Sequence, residues 1–501
     1  MWLSNTGDRL CLCLFLSTLE STVVGTALVA ITNDLGGFRS SSWIISAYLL
    51  TYTGFLTILA KLSDIFGRRT LMSLSLVTFI VFSIACGVAR SIVQLIVFRA
   101  FQGIGGGGIY TMTFVILPEM VPPARYARYA GIISAVAAMS SLLGPIFGGV
   151  ISDHGTWKWI FLFNGPAGFA ALVLFYLTLP AHFPHSSDHD TSSKVLLGSK
   201  LRKVDFFGGF FLLSSTLLLV TAIEEGGTQF SWNSVLVLSL LIVSVVLMVG
   251  TVLWSRHQAS RVTEQESILP WAVLADRYAM GLLLVCLFSG LAFITCIIVL
   301  PQQFQVVYGD SPSTAGYRLL ALTLTVPVGS ALAGFFSQKL KVPPLYILLA
   351  GSSFIILGTG LASSIQRSGT SFPKSQYGFQ EIMGFGFGIN LATVVMTAPL
   401  AFSEQNLAVG MGASNQFRVL GGSIGVSICA NILNNRITDR LAGILLSSQI
   451  KALLGSAQTV ALLPPVVREE VREVFATSFT QQMQAILGLS GAGLFGNAFD
   501  D

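Results

Sequence analysis

The segment GIISAVAAMSSLLGPIFGGV, residues 131–150, constrains the fold more than any other part of the chain. It is apolar enough to span a membrane, yet it contains Gly131, Gly144, Pro145, Gly148 and Gly149. Proline bends a helix by removing a backbone hydrogen bond, and glycine lets two helices approach closely. The segment therefore predicts a bent transmembrane helix that could act as a pivot when the protein changes conformation. The alternative is a kinked helix in any polytopic protein.

The composition assigns the whole chain to the membrane. Of its 501 residues, 53% are hydrophobic and 10% are charged, whereas a soluble domain has about 25% charged residues. We predict an all-α polytopic membrane protein with about 14 transmembrane helices, because apolar runs of roughly 20 residues recur throughout. The predicted spans are 10–31, 42–60, 71–89, 93–117, 129–150, 159–179, 204–223, 233–254, 279–300, 314–336, 344–363, 379–400, 409–433 and 474–496.

The distribution of Lys and Arg predicts the orientation. Basic residues concentrate in the short loops of one side, for example Arg68 and Arg69 after the second span and Arg202 and Lys203 before the seventh. The positive-inside rule places both termini in the cytoplasm, and it leaves a long outer segment at 434–473. The net charge of +5 then reflects orientation and not nucleic-acid binding.

Glycine and proline positions reveal an internal repeat. At one constant offset, residues of the fourth and fifth spans recur in the twelfth and thirteenth: Gly103, Gly105, Gly107, Pro118, Gly131 and Gly144 become Gly384, Gly386, Gly388, Pro399, Gly412 and Gly425. Related halves of this kind are typical of transporters, whose substrate site lies between the halves near mid-membrane.

The repeat divides the chain. We place an N-terminal six-helix bundle at 1–180, a cytoplasmic loop at 181–203, two inserted helices at 204–254, a second cytoplasmic loop at 255–278 and a C-terminal six-helix bundle at 279–501. The halves differ where Arg99 corresponds to Gln380 and where Arg418 corresponds to Ala137.

Several motifs carry a family resemblance. They are AKLSDIFGRRT (60–70), RAFQGIGGG (99–107), the glycine-rich segment 144–149, LESTVVGTAL (19–28), WKWIFLFNGP (157–166) and FRVLGGSIG (417–425). The first three resemble the signature motifs of the major facilitator superfamily, the third being its antiporter motif. Together they make the chain similar to the fourteen-helix drug:proton antiporter group, especially its fungal toxin and drug exporters. The resemblance implies a major facilitator fold with two inserted linker helices.

The chain departs from the family pattern at four positions. Ala60 and Ser140 stand where the loop motif and the antiporter motif have glycine, and Val29 stands where the first span has proline. Glu20 replaces the usual aspartate, which keeps the carboxylate but moves it one methylene outward.

Two intramembrane charges are the candidates for proton coupling. Glu20 lies near the middle of the first span, where an acid costs roughly 2.5–3.5 kcal/mol and faces a cavity or a partner. Arg99 lies in the fourth span and cannot lose its charge. The resemblance implies that both residues couple transport to protons. The alternatives are a structural ion pair or a neutral acid for Glu20, and a helix-joining role for Arg99.

The resemblance also implies a conformational latch made of Asp64, Gly67, Arg68 and Arg69. We expect it to contact the start of the thirteenth helix, at 406–410, because an acid near a helix N-terminus is stabilised by the helix dipole. Ordinary positive-inside charges are the alternative.

The remaining candidates are packing and substrate residues. Gly103 and Gly107 follow Arg99 on its own face of the helix, where they permit close packing. Arg418, Gln380 and Asn390 are candidate partners for a substrate or a charge, with packing as the alternative. The histidines of AHFPHSSDHD (181–190) read as a solvated linker, and we predict no metal site.

These observations favour a transporter that exports a hydrophobic or amphipathic small molecule by alternating access. No GxxxxGK[ST] motif is present, so we expect a proton gradient as the energy source and no cofactor. We expect protons, lipid and a small-molecule substrate as partners, no nucleic acid, a monomer and the plasma membrane. The alternatives are the vacuolar membrane, a vacuolar basic amino acid or siderophore transporter, and a non-transporting sensor or receptor. An enzyme is disfavoured, because no nucleophile–base pair is present.

Overall fold

A computed structural model describes residues 2–35, 42–122, 125, 129, 131–133, 135–137, 139–140, 143–144, 147–148, 151, 156–178, 201–227, 230–261, 265–365, 372–441, 443–445, 449 and 463–497. Within these residues the chain is almost entirely helical, and the extended backbone amounts to the isolated bridges Val204–Glu266 and Gly226–Phe230. The predicted all-α fold class is confirmed.

The helices of the first part of the chain are α1 (Trp2–Leu35), α2 (Ser42–Phe66), α3 (Arg68–Gly87), α4 (Ile92–Met120), α5 (Lys158–Leu162) and α6 (Asn164–Thr178). The described residues between 129 and 151 are also helical. The later helices are α7 (Phe206–Glu225), α8 (Val235–Ala259), α9 (Trp271–Ala275), α10 (Arg277–Val307), α11 (Pro312–Gln338), α12 (Pro344–Ser363), α13 (Ser375–Ala401), a 3₁₀ turn (Glu404–Asn406), α14 (Leu407–Leu441) and α15 (Pro465–Asn497).

The described residues include 11 helices that are long and apolar enough to cross a membrane. They coincide with the predicted spans except the first, the fifth and the fourteenth. The first span falls in α1, whose apolar stretch is Leu10–Val24, and the fourteenth falls in α15. The fifth span is described only in part.

The outer segment predicted at 434–473 is shorter than expected. Helix α14 continues to Leu441, and α15 already begins at Pro465. The physical reason is a hydrophobic cluster that joins these helix ends to the end of α10, with Val307, Ile437 and Val471 in its centre. Burial of this apolar surface stabilises helical turns that polar composition alone would assign to a loop.

Contacts between residues divide the chain into two units. The first comprises Met1–Leu219, Leu241–Leu282 and Val395–Gln416, and the second comprises Val220–Leu240, Leu283–Val394 and Phe417–Asp501. The predicted bundle boundaries remain a prediction from the repeat.

In the first unit, α4 packs against α2 through its glycines. Gly103 lies directly against the Tyr48 carbonyl and the Thr51 hydroxyl, and a Cβ atom there would overlap with both. The Thr51 hydroxyl donates a 2.7 Å hydrogen bond to the Ala100 carbonyl of α4. The expected packing role of Gly103 is therefore visible, and Gly107 likewise abuts the Tyr52 carbonyl.

In the second unit, α13 and α11 reproduce this arrangement. Gly384 lies against the Leu322 carbonyl and the Thr325 hydroxyl, and Gly388 lies against the Val326 carbonyl. The same kinds of atoms thus contact the glycines of each repeat, which supports a common origin of the two helix pairs.

Substituting Gly384 tests this packing. Gly384→Ala should lower the free energy of unfolding by about 1–3 kcal/mol, because the added methyl group meets backbone that cannot rotate away. Gly378→Ala is the matched control on α13, since Gly378 has open space around its Cβ position. Thermal unfolding of the purified variants in detergent is the measurement. Equal melting temperatures for the two variants would contradict the tight packing of α13 on α11.

Candidate functional site

A fully buried ion pair lies inside the first unit. Glu20 on α1 and Arg99 on α4 are 1% and 0% exposed, and Arg99 Nη1 lies 2.7 Å from Glu20 Oε1. The structure therefore brings together the two residues that the sequence singles out for proton coupling. Their separation of 79 positions in the chain is bridged because α1 packs against α4.

The guanidinium of Arg99 is held from several sides. Its Nε donates a 3.0 Å hydrogen bond to the Ile44 carbonyl, and Nη1 donates a 2.8 Å bond to Gln102 Oε1. The Tyr48 ring lies 4.2 Å from Arg99 Cζ, a cation–π contact that is stronger in a desolvated place. Nη2 is buried and has no hydrogen-bond partner among the described residues. The cation is thus fixed in position, yet one donor group is unused.

The second carboxylate oxygen of Glu20 has its own donor. Asn164, the first residue of α6, donates from Nδ2 to Glu20 Oε2 at 2.5 Å. Gln102 in turn donates from Nε2 to the Ser83 hydroxyl of α3 at 2.6 Å. With the Tyr48 ring of α2, the site therefore draws side chains from α1, α2, α3, α4 and α6.

Sequence reasoning missed Asn164, Gln102 and Ser83. A signal for two of them was present: Gln102 follows Arg99 by three positions on the same helix face, and Asn164 is the one amide side chain in WKWIFLFNGP. Ser83 is one of many hydroxyls in apolar spans, most of which bond only to their own helix.

A change in the charge of Glu20 would have consequences throughout this site. Because both charges are buried, their attraction is strong, and removing the charge of either leaves the other uncompensated. A proton on Glu20 would weaken the hold on Arg99, whose charge is permanent, and would leave Asn164 and Gln102 as neutral partners. Protonation of one carboxyl group would therefore rearrange contacts of several helices.

A second group of charges lies at the junction of α2 and α3. Arg68 Nη1 lies 2.6 Å from Asp64 Oδ1, and Arg68 Nη2 lies 2.8 Å from Glu119 Oε1 at the end of α4. Arg68 Nη1 also donates to the Ser63 hydroxyl at 2.6 Å. Gly67 between the helices has φ +95°, a conformation that L-residues rarely adopt, which explains the glycine of this motif.

The latch residues do not all contact one another. Arg69 donates to the Tyr176 carbonyl at 3.2 Å and stacks over the Tyr176 ring, whereas Arg68 pairs with Asp64 and Glu119. The expected contact of Asp64 with residues 406–410 stays a prediction. In the first unit, Gly412 of α14 does lie against Ala60 of α2, one helical turn from Asp64. Glu119, which the sequence did not single out, is the acid that completes the ion-pair network.

The contribution of Asp64 to transport can be measured apart from that of Glu119. We expect Asp64→Asn to slow transport about tenfold while the protein still inserts, because Arg68 keeps its pair with Glu119. Export of a fluorescent probe, normalised to the amount of protein in the membrane, is the measurement. Ser353→Ala on α12 is a control, since its hydroxyl bonds only to its own helix. Wild-type turnover in Asp64→Asn would argue for simple loop charges.

The described part of the antiporter motif packs against α1. The Thr18 and Ser140 hydroxyls lie 2.5 Å apart, and Gly144 leaves room for the Thr22 hydroxyl. Ser140, where the family has glycine, thus adds a hydrogen bond between two helices. Gly131 and Gly148 are buried in helical backbone. Pro145 and Gly149 lie outside the described residues, so the predicted bend stays a prediction.

The candidate substrate residues lie in the second unit. Gln380 is fully buried, and its amide atoms have no hydrogen-bond partner among the described residues. Asn390 donates to the Ser352 hydroxyl at 3.1 Å and lines a cavity of about 20 Å³ with Ser289 and Ser490. Arg418 is half-buried on α14, and its backbone lies against Gly290. Their role towards a substrate stays a prediction.

No group of three or more metal-ligating side chains occurs in the part of the chain that the structure describes. His182, His185 and His189 lie outside that part. Asp205, which the sequence places at a span end, is 1% exposed and caps α7 by accepting a 2.8 Å bond from the Gly208 amide.

Eleven apolar helices of membrane-spanning length, glycine-packed helix pairs in both units and a buried ion pair are typical of a membrane transporter. The profile of the Major Facilitator Superfamily matches residues 10–256. An MFS-type transporter of Fusarium mangiferae, FPY5, is 43% identical over 491 residues, which cover 97% of this chain and 81% of that protein. The chain belongs to the major facilitator superfamily.

Other relatives are named as multidrug resistance or efflux proteins. Multidrug resistance protein 3 of Bacillus subtilis is 30% identical over 89% of this chain and 83% of its own length. Efflux pump dotC of Dothistroma septosporum is 29% identical over 97% of this chain and 82% of its own. The family consists of transporters, so the chain is a transporter and not an enzyme.

Solved structures show the same fold. An inward-facing bacterial homologue of the human lysosomal transporter Spinster superposes with a TM-score of 0.59 at 15% identity, over 99% of this chain and 96% of that one. The proton:xylose symporter XylE gives 0.57 at 11% identity, over 96% of this chain and 94% of that one. The predicted major facilitator fold is confirmed.

Proposed function

We propose that this protein exports a hydrophobic or amphipathic small molecule in exchange for protons that enter the cell. The observation that carries the proposal is the buried Glu20–Arg99 ion pair, in which Asn164 donates a hydrogen bond to the second carboxylate oxygen of Glu20. A buried carboxyl group in a transporter is a candidate proton site, and its charge-assisted bond to Arg99 is stronger in the ionised form than in the protonated form.

Other observations support the direction of transport and the class of substrate. Relatives named as multidrug and efflux proteins favour export. The contact of the glycine-rich antiporter segment with α1, through Ser140 and Thr18, joins that segment to the helix that carries Glu20. We place the protein in the plasma membrane as a monomer with cytoplasmic termini, and we assign the proton gradient as its only energy source.

The experiment compares cells with and without the protein, loaded with ethidium, rhodamine 6G or Nile red, before and after a protonophore. We expect faster loss of at least one probe in cells that hold the protein, and we expect the protonophore to abolish the difference. Ser239→Ala on α8, an exposed hydroxyl that bonds to its own helix, controls for expression. Export that persists with the protonophore, or no export of any probe, would overturn the proposal.

A further inference from the structure

Gln416 on α14 joins three helices of the first unit. It accepts a hydrogen bond at Oε1 from the Thr57 hydroxyl of α2, and it donates from Nε2 to the Thr216 hydroxyl of α7 at 2.9 Å. All three side chains are at least 96% buried. A buried amide that reaches two hydroxyls on two other helices is a specific joint, because each lost partner leaves a polar atom unsatisfied.

The inserted helix α7 is docked on α2 on both sides of this joint. Gly54 of α2 lies against Leu213 and Leu217 of α7. One turn further, Ile58 packs in a buried cluster with Leu212 of α7 and with Ile268 of the segment after α8. Helix α7 and the segment after α8 thus pack directly against α2.

A buried ion pair also joins α2 to the segment after α8, close to the latch motif. Lys61 of α2 is 5% exposed, and its Nζ lies 2.7 Å from Glu266 in the segment that follows α8. Lys203, just before α7, lies 3.8 Å from the other oxygen of Glu266. The segments flanking the inserted pair therefore reach the start of the motif that contains Asp64.

Helix α14 meets α2 close to the joint. Gly412 lies against Ala60 and against the backbone of Leu56 and Thr57, with no room for a Cβ atom. Gln416 follows Gly412 by one turn, so its side chain enters the place where α2, α7 and α14 converge. The next residue, Phe417, belongs to the second unit.

Within the second unit, the outer end of α7 is bonded to α14. The Ser427 hydroxyl donates to the Ile223 carbonyl at 2.6 Å, and Asn434 donates to the Gly227 carbonyl at 3.2 Å. Asn431 accepts from Trp232 Nε1 at 2.9 Å. The inserted pair is therefore attached to α14 near its outer end and to both α14 and α2 through Gln416.

We propose that Gln416 is a positioning residue of the transport cycle and that the inserted pair α7–α8 takes part in closing the cytoplasmic side. The Thr57–Gln416–Thr216 joint stabilises the state in which α2 and α14 are in contact. When the cytoplasmic side opens, the hydrogen bond between Gln416 and Thr57 breaks. The hydrogen bond to Thr216 keeps the Gln416 amide in place, so that it can bind Thr57 again when the cytoplasmic side closes. The inference rests on the alternating-access cycle of the proposed function.

Hydrogen–deuterium exchange of the purified protein tests the joint without any cargo. In Thr216→Val and Thr57→Val, the amides of residues 54–62 and 407–416 should exchange roughly threefold to tenfold faster, the effect of one neutral hydrogen bond. Thr57→Ser, which keeps the hydroxyl, should exchange as wild type does. Ser215→Ala is the matched control on α7, because the Ser215 hydroxyl bonds only to the Leu212 carbonyl of its own helix.

Ethidium export separates a positioning role from a merely structural one. In Thr216→Val we expect the maximal rate to fall about fivefold with KM unchanged, and exchange outside the two segments to stay at wild-type values. Exchange and rate in Thr216→Val equal to those in Ser215→Ala would overturn the inference. Absence of export in the wild type would instead refute the proposed function, while the exchange result would still test the joint.

Discussion

Replacing Glu20 by Gln should reduce proton-driven export at least a hundredfold while the protein still folds and inserts. The neutral amide has the same shape, and its oxygen can still accept hydrogen bonds from Arg99. It cannot, however, bind and release the coupling proton. Uptake of ethidium into inverted membrane vesicles, driven by an imposed pH gradient, is the measurement.

A conservative control separates charge from shape. Glu20→Asp keeps a titratable carboxyl group, and it should retain measurable gradient-driven uptake. Its shorter side chain withdraws the carboxylate from Asn164, so a lower rate is expected. If Glu20→Gln and Glu20→Asp export equally well, the carboxyl group is a structural partner of Arg99.

Replacing Arg99 by Met should give the largest loss of stability in the chain. The substitution leaves the Glu20 carboxylate buried without its cation, and breaking a buried ion pair in this way costs about 3–5 kcal/mol. It also empties the space that the guanidinium fills beside Tyr48. We expect much less folded protein and a sharply lower melting temperature.

The double variant Glu20→Gln, Arg99→Met should recover most of that stability but no coupled export. Once both charges are removed, no buried carboxylate remains to be compensated. Recovery is measured by thermal unfolding in detergent and by the amount of protein in the membrane. A double variant as unstable as Arg99→Met alone would show that the guanidinium acts through packing and not through its charge.

The fold could be predicted almost completely from the sequence. Apolar runs of membrane-spanning length define helices by a simple requirement, because every backbone polar group in a bilayer must be bonded internally. The repeated glycines located the tight helix pairs, and Gly103 and Gly384 do contact equivalent atoms. The loop predicted at 434–473 was too long, because the tertiary cluster around Ile437 determines where these helices end and hydropathy does not.

The site could be predicted only in part. Glu20 and Arg99 are conspicuous because charges are rare in apolar spans. Asn164 and Gln102 are neutral, and a neutral polar residue becomes informative only when packing shows which charge it faces. Gln416 was overlooked for the same reason, since nothing in its neighbourhood along the chain indicates Thr57 or Thr216.

The account's central claim is that Glu20 carries the coupling proton, and proton movement tests it most directly. Purified protein is placed in liposomes that contain a pH-sensitive dye, and ethidium flux and internal pH are recorded together. We predict that ethidium and protons move in opposite directions in the wild type. We also predict that Glu20→Gln exchanges ethidium for ethidium with no change in pH. Proton movement in Glu20→Gln in the wild-type proportion to ethidium would contradict the account.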